Sequence, residues 1–401
     1  MLASLVLGLV IPRHEIVYGS PIPTDLSYTS AQAFLSAVSS GMMALAAIIF
    51  SVAFIVAQYS ATAYTPRLTV ELSKNTTQFH ALGLFIATFT FSLCALLWID
   101  RGGSQTVPSI SIVLVAILAI ASLVALAFMV RNFQALNISL VLRDIGAKGR
   151  RTLAQDAANR VGTILPANAE VVSSLATRAV VTYHGEPMTI ADYDFSGLIA
   201  RARANNAIIV LENAVGDVFV KGSTVLSVRG GSIASPEQLE RFVMIATART
   251  FANDPEFALR LFVDIAIRAL SPAINDPTTA VQSLDQIEDY LVRVGTGDIP
   301  TGYVGDDDGA LCVVYPAPAW EDFLNLAFNE IRFYGRSSVQ VQRRLRAALQ
   351  SLAQIIQDPK RRAAISAYQQ RLEQGLDPSL DAADVALARR ADRHGLGGAT
   401  S

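Results

Sequence analysis

Asn-Asp-Pro occurs at residues 253–255 and again at 275–277, and Arg260, Asp264 and Arg268 stand four apart between the copies. Carboxylates and guanidiniums on one helical stripe are groups an enzyme would use to move protons or hold an anion. Such chemistry also asks for a nucleophile, an imidazole or a metal beside them. Residues 253–281 contain neither histidine nor cysteine. An Asp directly before a Pro has a simpler use: its oxygen accepts the orphan amides of a helix start, and the Pro is preset for the first turn. Asp254 and Asp276 therefore read as two helix caps. Arg260, Asp264 and Arg268 read as an ion ladder beside a buried face of Phe257, Leu261, Phe262, Ile265 and Ala269. Exposed pairs of this kind add about 0.3–0.5 kcal/mol each.

No other pattern supplies a reaction centre. The histidines, His14, His80, His184 and His394, are scattered, and Cys94 and Cys312 lie far apart. Asp306-Asp307-Asp308-Gly309 has the look of a calcium loop but lacks its later bidentate Glu. No catalytic, cofactor-binding or metal residue is assigned, and no cofactor is expected. The formal net charge of -2 gives no support for nucleic acid as a partner.

These residues hang on a chain of two compositions. Of its 32 Lys and Arg, only Arg13, Arg67, Lys74, Arg101 and Arg131 fall within residues 1–131. Ala81–Ile99 and Gly102–Val130 are free of charge and long enough to span a bilayer, with Pro108 opening the second. A third uncharged run predicts one long helix from about Ser30 to Ala63. The opening MLASLVLGLVIP is too short to span comfortably and shows no signal-peptide start, so it reads as a truncated span or a re-entrant segment. The basic residues from Arg131 onward predict that the rest of the chain is cytoplasmic.

On the long helix, Ala33, Ala37, Ser40, Ala44, Ala47 and Ser51 recur at steps of four and three, with Gly41 beside them. Small residues let membrane helices approach closely. Three uses stay open: packing within one subunit, contact between subunits, or the lining of a narrow pore. Arg67 and Lys74 would stand at the cytoplasmic mouth of such a pore.

The expected fold is an α-helical membrane domain, with three full spans plus the short N-terminal hydrophobic segment, leading into a cytoplasmic α+β domain. By residue this gives a transmembrane domain (1–131), an amphipathic helical connector (132–176), a small β-rich module (177–233), a helical domain (234–378) and a flexible tail (379–401). In the connector, Leu136, Ile138, Leu140, Val141 and Ile145 are interleaved with polar residues until Ala147-Lys148-Gly149 interrupts. In the module, Gly216-Asp217-Val218 to Gly222 and Val225 resembles the turn of small barrel-sandwich modules such as lipoyl-type domains. No lysine there has a lipoylation context. Ser235-Pro236-Glu237-Gln238 reads as a capping box that opens the helical part.

Three separated segments, FSVAFIVAQYSATAYTPRL, DPEFALRLFVDIAIRALSPAINDPTTAV and PAPAWEDFLNLAFNEIRFYG, resemble the bacterial predicted-membrane-protein family called domain of unknown function family 2254. The resemblance implies residence in a bacterial inner membrane and no particular activity. Members of that family usually have a fuller first hydrophobic segment. The leading expectation is a homo-oligomeric pore in the lipid bilayer, with the soluble domain as its assembly part. The alternatives are a membrane-anchored scaffold or sensor with a protein partner, and a membrane-surface enzyme using Asp254, Asp264 and Asp276 with Arg260 and Arg268.

Overall fold

A computed structural model describes residues 2–19, 26–63, 65, 67, 77–101, 107–131, 137–158, 162–251 and 254–396. It divides into a unit of residues 1–62 and 66–137 and a unit of residues 63–65 and 138–401.

The first unit is helical: α1 (Leu2–Tyr18), α2 (Tyr28–Ala63), α3 (Thr77–Arg101) and α4 (Ser109–Arg131). Three of these are long and apolar enough to cross a membrane, through Tyr28–Gln58, Phe79–Ile99 and Ser109–Arg131. In α2 the buried positions are Ala31, Leu35, Ser39, Met42, Ala46, Ile49 and Val56, a sevenfold spacing that keeps one seam against neighbouring helices. Gly8 lets α1 close on α3, where an added Cβ would lie 3.0 Å from that of Cys94. The α1 helix continues past Arg13, whose guanidinium sits 5.7 Å from the Trp98 ring centre.

Glu15 shows why that extra turn exists. Its carboxylate is 2% exposed and accepts from the amides of Ile110 (2.7 Å) and Ser111 (2.9 Å) and from the Ser111 hydroxyl (2.5 Å). The first amides of α4 have no partners of their own, and their partial positive charge favours an anion. A second polar contact joins Thr88 of α3 to Ser122 of α4 at 3.1 Å, both fully buried.

The second unit begins with α5 (Ile138–Ala158), which runs unbroken through Ala147-Lys148-Gly149. The expected interruption is overturned by packing. A Cβ at Gly149 would come within 2.5 Å of that of Ala258, so the glycine marks a close helix crossing. Val141, Leu142 and Ile145 are buried, whereas Leu140 is exposed and Leu136 lies outside the described residues.

The strands are β1 (Thr163–Ile164), β2 (Thr177–Thr182), β3 (Met188–Tyr193), β4 (Ala207–Leu211), β5 (Val218–Phe219), β6 (Thr224–Gly230), β7 (Val243–Ala246), β8 (Tyr303–Gly305) and β9 (Leu311–Val314). They form a six-stranded sheet, β1-β8-β9-β4-β6-β2, and a three-stranded sheet, β5-β3-β7. The β-rich region is thus wider than 177–233. It draws in β8 and β9, and β4 pairs parallel to β9 with Ile209 opposite Val313. The turn at Gly216 and Gly222 is present, with both glycines at positive φ. The acidic run 306–308 is the β8–β9 turn, where Asp306 accepts from the amides of Asp308 and Ala310.

The helices of this unit are α6 (Ala169–Ser174), α7 (Phe195–Ala204), α8 (Pro255–Ala269), α9 (Pro277–Thr296), α10 (Trp320–Tyr334), α11 (Val339–Ile355), α12 (Pro359–Gln374) and α13 (Ala382–Ala388). Ser235 does not open an α-helix. A 3-10 turn spans Pro236–Phe242, and the Ser235 side chain makes no cap bond. The central helix is α8, which buries Leu259, Leu261, Phe262, Val263 and Ala266 and so has no apolar stripe confined to one face. Within the described part of the segment after residue 378 there is a short helix, α13. Ala388 and Asp392 are buried, and α11 holds this segment through Arg343 and Arg346, which donate to the carbonyls of Arg390 (3.2 Å) and Ala388 (2.8 Å).

Candidate functional site

In the membrane unit, all seven small residues of α2 (Ala33, Ala37, Ser40, Gly41, Ala44, Ala47 and Ser51) are exposed. At 100° per residue all but Gly41, which flanks them, lie on the side of the helix opposite Leu35, Met42 and Ile49. Among the described residues, no helix of the unit covers these positions. Ser40 donates to the Ser36 carbonyl at 2.7 Å and Ser51 to the Ala47 carbonyl at 3.0 Å, so both hydroxyls are satisfied on their own helix. An open groove beside the stripe runs along Ser36, Ser40 and Ala44, with Phe89, Leu93 and Leu96 of α3 as its far wall. Arg67 is exposed, and Lys74 lies outside the described residues.

In the second unit, the residues between the two Asn-Asp-Pro copies are held by structure. Asp254 accepts from the Phe257 amide at 3.1 Å and Asp276 from the Thr279 amide at 3.1 Å, as caps of α8 and α9. The Arg260–Asp264 pair is present at 2.5 Å, but Asp264 is buried rather than solvated. Arg260 also makes a two-pronged contact with Glu330 of α10, with Nη2 to Oε2 at 3.0 Å. Asp264 faces Thr65 at 3.5 Å, while Arg268 is exposed near the end of α8. The ladder is thus a partly buried tie between α8 and α10.

A cavity of about 740 Å³ opens beside the start of α8. Its walls come from the β3–α7 corner, the end of α9, the loop after β9 and α10, and they include Tyr193, Phe195, Tyr315 and Phe323. Asp254 and Glu256 form its acidic side. Asp254 is paired with Arg249, whose Nη2 lies 2.9 Å from Oδ1, and the same guanidinium stands 3.6 Å from Glu256. Burial raises the Glu256 carboxyl above its usual range; Arg249 opposes this, and Asp254, Asp322 and Asp217 reinforce it. Burial likewise raises Asp254 against the pull of Arg249. Arg150 and Arg293 also line the cavity and share Asp289 at 3.0 and 3.3 Å.

Residues 1–351 match the family described as Predicted membrane protein (DUF2254). The chain belongs to that family. It is 28% identical over 351 residues to uncharacterized proteins of Mycobacterium bovis and Mycobacterium tuberculosis, matching 84% of this chain and 66% of each relative. The chain thus spans just under two thirds of the length of these relatives. No solved structure matches.

For this DUF2254 protein, several residues of the two units were missed by reasoning from sequence. Glu15 and Ser111 lie 96 positions apart, and Glu330 lies 70 positions beyond Arg260, which the sequence singles out without its partner. Arg249 follows no periodic pattern. Only the pairing of Asp254 with a following Pro gave a local signal, and it pointed to the cap rather than to the cavity.

Proposed function

We propose that this DUF2254 protein is a homo-oligomer in a bacterial inner membrane, with α2 helices of neighbouring copies meeting through their small-residue face and enclosing a narrow conduit. The observation that carries the reading is the exposure of that whole face on a single copy, opposite the seam α2 uses within its own unit. Large side chains such as Met43 and Phe50 also point outward, to the side of the stripe, and suit lipid tails. Small residues suit another helix, because they let backbones come close. On this reading the α+β unit is cytoplasmic, and Arg67 and Lys74 favour anions at the mouth.

The test has two parts. Cysteine at Ala37 or Ala44 should cross-link copies in native membranes, while cysteine at Phe50 should not. Proteoliposomes of the parent should pass ions, and a Ser40→Trp variant of equal yield should not. A parent no leakier than empty liposomes, under salt gradients and osmotic downshock alike, ends the conduit reading. A second reading, a membrane-anchored sensor or scaffold, is favoured by the cavity in the α+β unit. A strictly monomeric protein in mild detergent would turn the assignment that way.

A further inference from the structure

The cavity at the start of α8 is concave, partly apolar and of the size of small-molecule sites, which run from about 300 to 1,000 Å³. Its charge decides what it would admit. Five acids line it (Asp192, Asp194, Asp254, Glu256 and Asp298) against two bases, Arg150 and Arg293. The bases are engaged, since both hold Asp289. Asp254 is engaged as well, by Arg249 and by the Phe257 amide. Asp194 caps α7 through the Gly197 amide at 3.0 Å.

Glu256 differs from these. Its ion-pair partner among the described residues is Arg249 at 3.6 Å, beyond hydrogen-bond distance, and that guanidinium is already committed to Asp254. A half-buried carboxylate with so little compensation favours an incoming cation. No group of three or more His, Cys, Asp or Glu among the described residues is placed to hold a metal ion. The cation must then bring its own apolar bulk, for which Phe195, Tyr315 and Phe323 provide aromatic walls.

We propose that this cavity binds a small organic ammonium ion, with Glu256 as its counter-ion and the aromatic side chains around the body of the ligand. The inference is independent of whether the membrane helices conduct.

The experiment uses the whole purified chain in mild detergent and three probes of one shape: phenethylammonium, 2-phenylethanol and 3-phenylpropionate. Thermal stabilisation is monitored as each is titrated to millimolar concentration. Phenethylammonium should stabilise saturably, and the neutral and anionic probes should be at least about tenfold weaker. Glu256→Gln should weaken the ammonium by a similar factor. Ala154→Trp, which fills the cavity from an exposed position on α5, should abolish it. Equal stabilisation by 2-phenylethanol, no saturable response to the ammonium, or an undiminished response in Ala154→Trp would each overturn the proposal. Should Glu256→Gln fail to fold, the three-probe comparison on the parent still decides the charge preference.

Discussion

Helices α2 and α8 are both rich in apolar residues, yet the structure uses them in opposite ways. In α8 nearly every side chain is covered by protein, including Asp264. In α2 one seam is covered, while Met43, Phe50, Phe54 and Ile55 stand outward. The difference teaches how each unit is stabilised. Within the α+β unit, burying apolar area removes it from water and stabilises the fold by about 25 cal/mol per Å². In a bilayer the surroundings of α2 are as apolar as its side chains, so close packing and polar contacts must supply specificity. The polar groups show the same division. The membrane unit joins helices through Glu15, Ser111, Thr88 and Ser122, whereas the α+β unit relies on guanidinium–carboxylate ties such as Arg260 with Asp264 and Glu330.

Core truncation should expose the contrast most strongly. Leu261→Ala in α8 is expected to cost about 2–5 kcal/mol, read as a loss of thermal stability in detergent. Phe54→Ala on the outer face of α2 should leave the melting temperature nearly unchanged. Similar losses in the two variants would break the comparison. Gly149→Val comes next, with an expected loss of about 1–3 kcal/mol from the clash with Ala258 and Tyr290.

Glu15→Ala should lower stability by about 1–3 kcal/mol, because it leaves the first amides of α4 without an acceptor. Glu15→Gln should recover part of this, since its amide oxygen can still accept. Equal losses in the two would show that the anion, rather than hydrogen bonding, matters there.

The smallest effect concerns pH. Glu256 has its folded pKa raised above the ordinary 4.5, so its charged form is disfavoured in the folded protein. The folded state holds that proton more tightly than the unfolded one, and stability from this group falls as pH rises through the interval between the two pKa values. Glu256→Gln should therefore melt slightly higher than the parent at neutral pH. The gap should close as the pH drops below the ordinary glutamate value. A gap that widens on acidification would reverse the assignment.

Much of this was legible locally. The uncharged runs marked α2, α3 and α4, and Asp before Pro marked the starts of α8 and α9, because a helix start depends on residues within one turn. Legibility ended where partners are remote. Nothing near β4 announced that β9, a hundred residues later, would pair beside it. Gly149 looked like an interruption because sequence shows the missing side chain but not Ala258, which needs the space. Ser235 looked like a cap, yet the chain forms a 3-10 turn there and then enters β7.

The small-residue stripe was legible as a pattern, and its exposure was not. Burial depends on which face of α2 meets its neighbours, and the spacing of apolar residues on an almost wholly apolar helix does not single one out.

The grip of α11 on the C-terminal segment also bears on timing. Arg343 and Arg346 are buried and donate to carbonyls 47 and 42 residues further along the chain. During synthesis, at about 5–20 residues per second, those acceptors are made roughly 2–9 s after the guanidiniums that need them. Until they arrive, α11 has two charged groups that its own surroundings leave incompletely matched. The packing of α11 in the α+β unit should therefore be completed only after residues 388–392 have been made.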